Sequence, residues 1–111
     1  MATRKTTSVP RSAAATAHAL LGTEHQLVLA ESCTGGLAAA SLVATPGIST
    51  RLCGSFVVYQ IASKREWLGL PELLFANAPD AASASVSAAL ARAALQHTPH
   101  ATLAAAITGR L

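Results

Sequence analysis

A short polar segment between two apolar stretches carries the residues best suited to covalent chemistry. Its sequence is ESCTGG, and its members are Glu31, Ser32, Cys33, Thr34, Gly35 and Gly36. It lies between a predicted strand and a predicted helix, where free N–H groups favour an oxyanion or a phosphate. The glycines let a ligand approach the backbone. The segment predicts either a turn that presents Ser32 as a nucleophile or an ordinary helix cap made by Thr34 or Ser32.

A serine nucleophile needs a base, and the best candidate in this sequence is Lys64. No histidine stands in a persuasive Ser/His/Asp order, whereas Lys64 follows the second predicted strand with Tyr59 five residues before it. A free lysine, with a pKa of about 10.4, is almost fully protonated at neutral pH. Lys64 can therefore act as a base only if burial or neighbouring positive charge lowers its pKa. The alternative is a solvated helix residue, which is what we expect of Arg65.

Three further positions have more than one interpretation. Cys33 is an alternative nucleophile, because a helix N-terminus lowers the pKa of a thiol. Glu31 is either a general base, a substrate contact or a solvated turn carboxylate. Thr108 and Gly109 follow the third predicted strand and offer a hydroxyl and an N–H to a substrate.

Spacing and composition argue against several other classes of protein. ESCTGG is neither a GxGxxG dinucleotide turn nor a P-loop, and the tyrosine and lysine are five apart rather than four. The four histidines show no metal-ligand spacing, and we expect neither a metal nor another cofactor. No basic stripe with aromatics indicates nucleic acid, and no long apolar run indicates a membrane. Two cysteines without CxxC spacing make the cytoplasm the default location.

The elements that must position these residues alternate between helix and strand. The apolar runs predict strands at Gln26–Ala30, Leu52–Tyr59 and Thr102–Ile107. Helices are predicted over Ser12–Thr23, Leu37–Ala44, Ser63–Leu70 and Ser85–His97, the last capped by Ser85 or Ser87, with a short amphipathic piece and loop over Pro71–Asp80.

This alternation predicts an α/β fold, a layered α/β/α domain with a largely parallel sheet. In such sheets ligands bind outside the carboxyl ends of the strands. We therefore expect the three polar clusters at Glu31–Gly36, Tyr59–Lys64 and Thr108–Gly109 to meet at one edge.

The start of the chain differs in composition from the rest. Residues 1–11 are basic, rich in serine and threonine, and are predicted to be a disordered tail, with an organelle-targeting segment as the alternative. Residues 12–111 form the predicted domain. Its apolar half contains much alanine, which buries little area, so we expect a thin core that gains from homo-oligomerisation or from further chain.

The order of motifs resembles one known family. LVLAESCTGGLAAASLVATPGIS, then GSFVVYQIASKREWLGL, SVS and AAAITG are similar to the CinA C-terminal domain, the nicotinamide-nucleotide amidohydrolases, from Ala13 to Gly109. The resemblance implies hydrolysis of nicotinamide mononucleotide, a small-molecule nucleotide, to nicotinate mononucleotide and ammonia. It implies that Ser32 is the nucleophile, that Lys64 and Tyr59 activate it, and that Thr108 lies near the substrate.

Two departures from the family pattern leave a second hypothesis open. Gln60-Ile61 stand where the family has Ser-Asn, and Arg110-Leu111 follow the TG motif where the family continues with Ile-Ala-Gly-Pro and more chain. The domain is thus expected to lack the family's last strands. The alternative to an amidohydrolase is a non-catalytic, truncated remnant or binding module of the same family.

Overall fold

The three predicted strands form one parallel sheet. The computed structural model describes residues 2–76 and 83–109, with side chains from residue 11 onward. Strand β1 (Leu27–Glu31) lies in the centre, between β2 (Leu52–Val57) and β3 (Leu103–Ile107), and pairs in parallel with both. Over the described residues the sheet is entirely parallel, which confirms the predicted fold class.

Helices cover the sheet in two layers. Helices α1 (Ala2–Leu21) and α2 (Leu37–Leu42) pack on one face, together with a 3₁₀ turn at Ile48–Thr50. The other layer consists of α3 (Ile61–Leu68), α4 (Glu72–Ala76) and α5 (Ala84–Gln96). The 3₁₀ turn, which follows Pro46 and Gly47, was not anticipated from the sequence.

The central strand is buried on both faces, which explains its continuous apolar run. Val28 and Ala30 belong to the core beneath α3 and α5. Leu27 and Leu29 belong to the core beneath α1 and α2. Successive side chains of a strand point to opposite faces, so a strand covered on both sides needs apolar residues at every position.

Several element boundaries correct the sequence predictions. Strand β2 ends at Val57 rather than Tyr59, and helix α3 begins at Ile61 rather than Ser63. Helix α1 begins at Ala2 rather than Ser12, so residues 2–11 are its first half and not the predicted disordered tail. The tail was predicted from its basic, Ser/Thr-rich composition, which lowers helix preference but does not prevent a helix that continues into the alanine-rich segment after it. Helix α5 begins one residue early, and its cap is Ser83, whose hydroxyl accepts the N–H of Val86 at 3.2 Å.

Some predictions concern the remaining parts of the chain. Residues 77–80 of the loop predicted within Pro71–Asp80 lie outside the described residues, as do Arg110 and Leu111. No helix among the described residues is long and apolar enough to cross a membrane.

Candidate active site

The carboxyl ends of the three strands bring the predicted clusters to one edge of the sheet. Glu31 pairs with Val57 of β2 and with Ile107 of β3, so the residues that follow these three positions are neighbours across the sheet. Ser32 extends the pairing, because its N–H donates to the carbonyl of Ile107 at 3.0 Å. The expectation that the three clusters meet is confirmed.

The ESCTGG segment forms a tight turn between β1 and α2. The N–H of Gly35 donates to the carbonyl of Ser32 at 3.0 Å, and that of Leu37 donates to the carbonyl of Thr34 at 3.0 Å. Gly35 and Gly36 have φ angles of 59° and 104°, in the left-handed region that favours glycine. The glycines are therefore required by the backbone path of the turn, whatever ligand it approaches.

Ser32 lies at the end of β1 on the face that α3 and α5 cover. Val28 and Ala30 face that layer, and the alternation along a strand gives Ser32 the same side. The residue is only 8% exposed. Both of its backbone polar groups are bonded, to Ile107 and to Gly35, so its backbone is fixed at the start of the turn.

Glu31 is fully buried, which corrects the expectation of a solvated turn carboxylate. It is 0% exposed. Its Oε1 accepts from the hydroxyl of Thr34 at 2.7 Å and from the N–H of Ala38 at 2.8 Å. Its Oε2 accepts from the N–H of Ala39 at 3.1 Å and from the hydroxyl of Ser55 at 2.7 Å. Burial raises the pKa of Glu31, but these four hydrogen bonds outweigh it and leave the pKa below its ordinary value.

The carboxylate of Glu31 occupies the N-terminus of α2. It takes the N–H groups of Ala38 and Ala39, so these donors are not free for the oxyanion or phosphate expected there. The hydroxyl of Thr34 donates to Glu31 and does not cap the helix. Among the described residues, no acceptor meets the N–H groups of Cys33, Thr34 or Gly36, and these are the donors of the turn that a ligand can use.

Lys64, in α3, is the largest side chain among those that are almost completely buried. Its exposed fraction is 2%. Burial lowers the pKa of Lys64, while a negative charge on the nearby Cys33 thiol acts in the opposite direction. Arg65 next to it behaves as expected of a solvated residue, with a 42% exposed side chain 3.5 Å from Glu72. The lowered pKa of Lys64 is the condition that a lysine base requires.

The thiol of Cys33 belongs to the same cluster of side chains. Cys33 is a half-buried free cysteine within Coulombic range of Lys64. A Cβ added to Gly109 would lie 3.2 Å from its Sγ, so a side chain there would crowd the thiol. The structure thus places Lys64 of α3 and Gly109, which follows β3, beside Cys33 in the turn after β1.

Tyr59 and Thr108 differ in how firmly the structure holds them. Tyr59 is 61% exposed, and its hydroxyl has no hydrogen-bond partner within the described part of the chain. The hydroxyl of Thr108 is hydrogen-bonded to that of Ser87 in α5. Ser87 and Ser55 are the polar partners that sequence reasoning missed as site residues. The only signal was a serine inside an otherwise apolar strand or helix.

Comparisons with known proteins show which family the chain is similar to. Residues 10–110 match the profile of the CinA C-terminal domain. A CinA-like protein of Geobacter metallireducens is 46% identical over 83 residues, which are 75% of this chain and 20% of that protein. A CinA-like protein of Myxococcus xanthus is 51% identical over 45 residues, 40% of this chain and 11% of that protein.

Solved structures show the same fold. The competence-damaged protein (CinA) superfamily protein of Escherichia coli superposes with a TM-score of 0.83 at 28% identity, covering 94% of this chain and 59% of that chain. A competence/damage-inducible protein of Agrobacterium tumefaciens gives a TM-score of 0.81 at 30% identity, over 91% of this chain and 60% of that one. The chain thus spans about a fifth of the Geobacter relative and about three fifths of these solved chains.

Proposed function

Because the chain belongs to the CinA C-terminal domain family, we propose that its strand-end site is an amidohydrolase site that deamidates nicotinamide mononucleotide. The observation that carries the proposal is the buried Lys64, whose pKa is lowered and which lies within Coulombic range of Cys33, the residue after Ser32. A charged side chain is rarely buried so completely without a role, and perturbed lysines are typical of active sites.

In the proposed reaction Ser32 forms an ester with the substrate. The neutral amine of Lys64 takes the hydroxyl proton as Oγ attacks the carboxamide carbon. The intermediate collapses when its C–N bond breaks and the Lys64 ammonium returns the proton to the departing nitrogen, which leaves as ammonia. Water then attacks the ester and loses its proton to Lys64, and the proton returns to Ser32. The products are nicotinate mononucleotide and ammonia.

The remaining donors of the turn suit the charge that develops in this reaction. The tetrahedral intermediate carries an oxyanion, which fixed N–H groups stabilise in a site that excludes water. The N–H groups of Cys33, Thr34 and Gly36 meet no acceptor among the described residues, so they are available for it. We assign the oxyanion to these donors and not to the first turn of α2, where Glu31 has taken the N–H groups.

The other predicted residues have supporting roles in the proposal. Thr108, held by Ser87, and the adjacent Gly109 form the substrate wall on the β3 side. Tyr59 is exposed at the mouth of the site and assists Ser32 and Lys64 only when its side chain turns inward over the substrate. Cys33 lines the site beside Lys64.

A second candidate function is a binding module without catalysis. The observation that favours it is an apolar groove of about 440 Å³ between α1, α2 and β3, which the described residues leave open. Leu37 at its rim is 57% exposed. A surface of this kind is typical of a protein-binding site.

Ammonia release from nicotinamide mononucleotide decides between the two functions. The purified chain is compared with Ser32→Ala, which loses only the nucleophile, and with Glu24→Gln, a change at an exposed carboxylate before β1. An amidohydrolase requires turnover in the wild type and in Glu24→Gln and none in Ser32→Ala. Equal ammonia release from the wild type and Ser32→Ala, or none from either, would exclude the proposed chemistry at Ser32.

A further inference from the structure

The most completely buried acid of the site, Glu31, has no task in the reaction proposed above. It is 0% exposed and immediately precedes Ser32 in the chain. Its carboxylate receives donors from the turn itself, from α2 and from β2, so one side chain joins three parts of the site.

The hydrogen bonds of Glu31 leave it no capacity to contact a substrate. A carboxylate offers about four lone-pair sites, two on each oxygen. Oε1 accepts from Thr34 and Ala38, and Oε2 accepts from Ala39 and Ser55, so each oxygen already has two donors. These bonds keep the pKa of Glu31 low despite its burial, so it is not a proton donor or acceptor near neutral pH.

We infer that Glu31 is a positioning residue, whose carboxylate holds the turn that presents Ser32 and does not bind the substrate. This inference rests on the proposed function of Ser32. Glu31 fixes the start of the turn through Thr34 and the start of α2 through Ala38 and Ala39. Its bond to Ser55 ties the turn to β2 as well. Small displacements of a nucleophile cost large factors in rate, so the bracing acts on the chemical step.

Glu31→Gln is the sharpest test, because it keeps the shape of the side chain and converts one acceptor into a donor. Serine and threonine hydroxyls can reverse direction, but the N–H groups of Ala38 and Ala39 cannot. Whichever way the amide is turned, its NH₂ faces one of these N–H groups. We expect kcat for ammonia release to fall by at least about tenfold while KM changes less than about twofold.

Two readouts separate positioning from a general loss of structure. Amide hydrogen exchange at Ala38 and Ala39 should become at least about tenfold faster in Glu31→Gln, with exchange in β1 unchanged. Labelling of Ser32 by a fluorophosphonate should slow in parallel with kcat. Glu24→Gln, at an exposed carboxylate, should leave all of these unchanged. A raised KM with an unchanged kcat would make Glu31 a substrate contact and overturn the inference.

A milder pair of variants tests the same bracing in a protein that keeps the Glu31 charge. Ser55→Ala removes one of the four hydrogen bonds, whereas Ser55→Thr keeps the hydroxyl. We expect kcat and Ser32 labelling to fall in Ser55→Ala and to be restored in Ser55→Thr. Equal activity of the two variants would overturn the role of this bond.

If the wild type releases no ammonia, the proposed function fails. Unchanged exchange and unchanged Ser32 labelling in Glu31→Gln would instead refute the positioning role.

Discussion

Replacing Lys64 by methionine should abolish activity and yet make the protein more stable. Methionine keeps the unbranched shape of the side chain and removes its charge. Lys64 is 2% exposed, so its ammonium loses most of its hydration when the chain folds. Replacing buried ion pairs with apolar residues of similar volume is often neutral or stabilising, by up to about 1–4 kcal/mol, and a buried ammonium without a carboxylate partner has even less to offset its lost hydration. We expect Lys64→Met to gain stability within that range at neutral pH, while ammonia release disappears.

The gain should depend on pH in a direction set by the lowered pKa of Lys64. Between the folded-state pKa and the unfolded value of about 10.4, the unfolded chain holds a proton that the folded chain has released. The stability of the wild type therefore rises with pH across this window. The advantage of Lys64→Met is full below the folded-state pKa and is lost as pH approaches about 10.4.

Urea denaturation of both proteins over a series of pH values measures this difference. Arg65→Met is the matched control, because that side chain is 42% exposed, and it should change the free energy of unfolding by no more than about 0.5 kcal/mol. If Lys64→Met is destabilising at every pH, the lysine stabilises the fold, and its burial is not evidence for a catalytic role.

Four other outcomes follow from the site and the sheet. Cys33→Ala should retain substantial ammonia release while Ser32→Ala retains none, and the reverse result would make the thiol the nucleophile. Lys64→Arg should be nearly inactive, because a guanidinium stays protonated. The kcat of the wild type should rise with pH through the lowered pKa of Lys64. A fully active Lys64→Arg variant would refute the role of Lys64 as a base. Gly35→Ala should cost about 1 kcal/mol in urea denaturation, because φ is 59° there, and no loss would contradict the need for glycine. In sedimentation the chain should self-associate through the apolar groove between α1, α2 and β3. Ala105→Lys, which places a charge in that groove, should weaken the association. A monomeric wild type would count against this prediction.

The sequence predicted the sheet well because its signals are local. Three short apolar runs, separated by helical stretches, sufficed for a parallel sheet with its polar clusters at one edge. The order of the strands was not predicted, because Leu103–Ile107 of β3, which lies at one side of the described sheet, is as apolar as the central strand β1. Boundaries were less predictable, as the start of α1 at Ala2 shows, because weak local preferences decide them.

The environment of single side chains could not be read from the sequence. Glu31 follows a predicted strand and Arg65 lies in a predicted helix. The side chain of Glu31 is fully buried, whereas that of Arg65 is solvated. Glu31 can be buried because other elements supply its hydrogen-bond donors. One of these donors, the hydroxyl of Ser55, lies 24 residues away in the sequence. Long-range partners of this kind depend on strand register, which no local pattern specifies.

Glu31 and Lys64, the buried charged residues within the described part of the chain, act on opposite sides of the central strand. Glu31 turns towards α2 and braces the turn from that face, while Ser32, one residue later, turns towards the layer that holds Lys64. Because side chains alternate along a strand, the carboxylate of Glu31 and the amine of Lys64 lie on opposite faces of the sheet. They do so even though Glu31 and Ser32 are consecutive in the sequence. This separation matters because a carboxylate beside Lys64 would raise its pKa and keep it protonated. With its charge satisfied by four donors on the other face of the strand, Glu31 can hold Ser32 in place, while burial lowers the pKa of Lys64 against the opposing effect of Cys33.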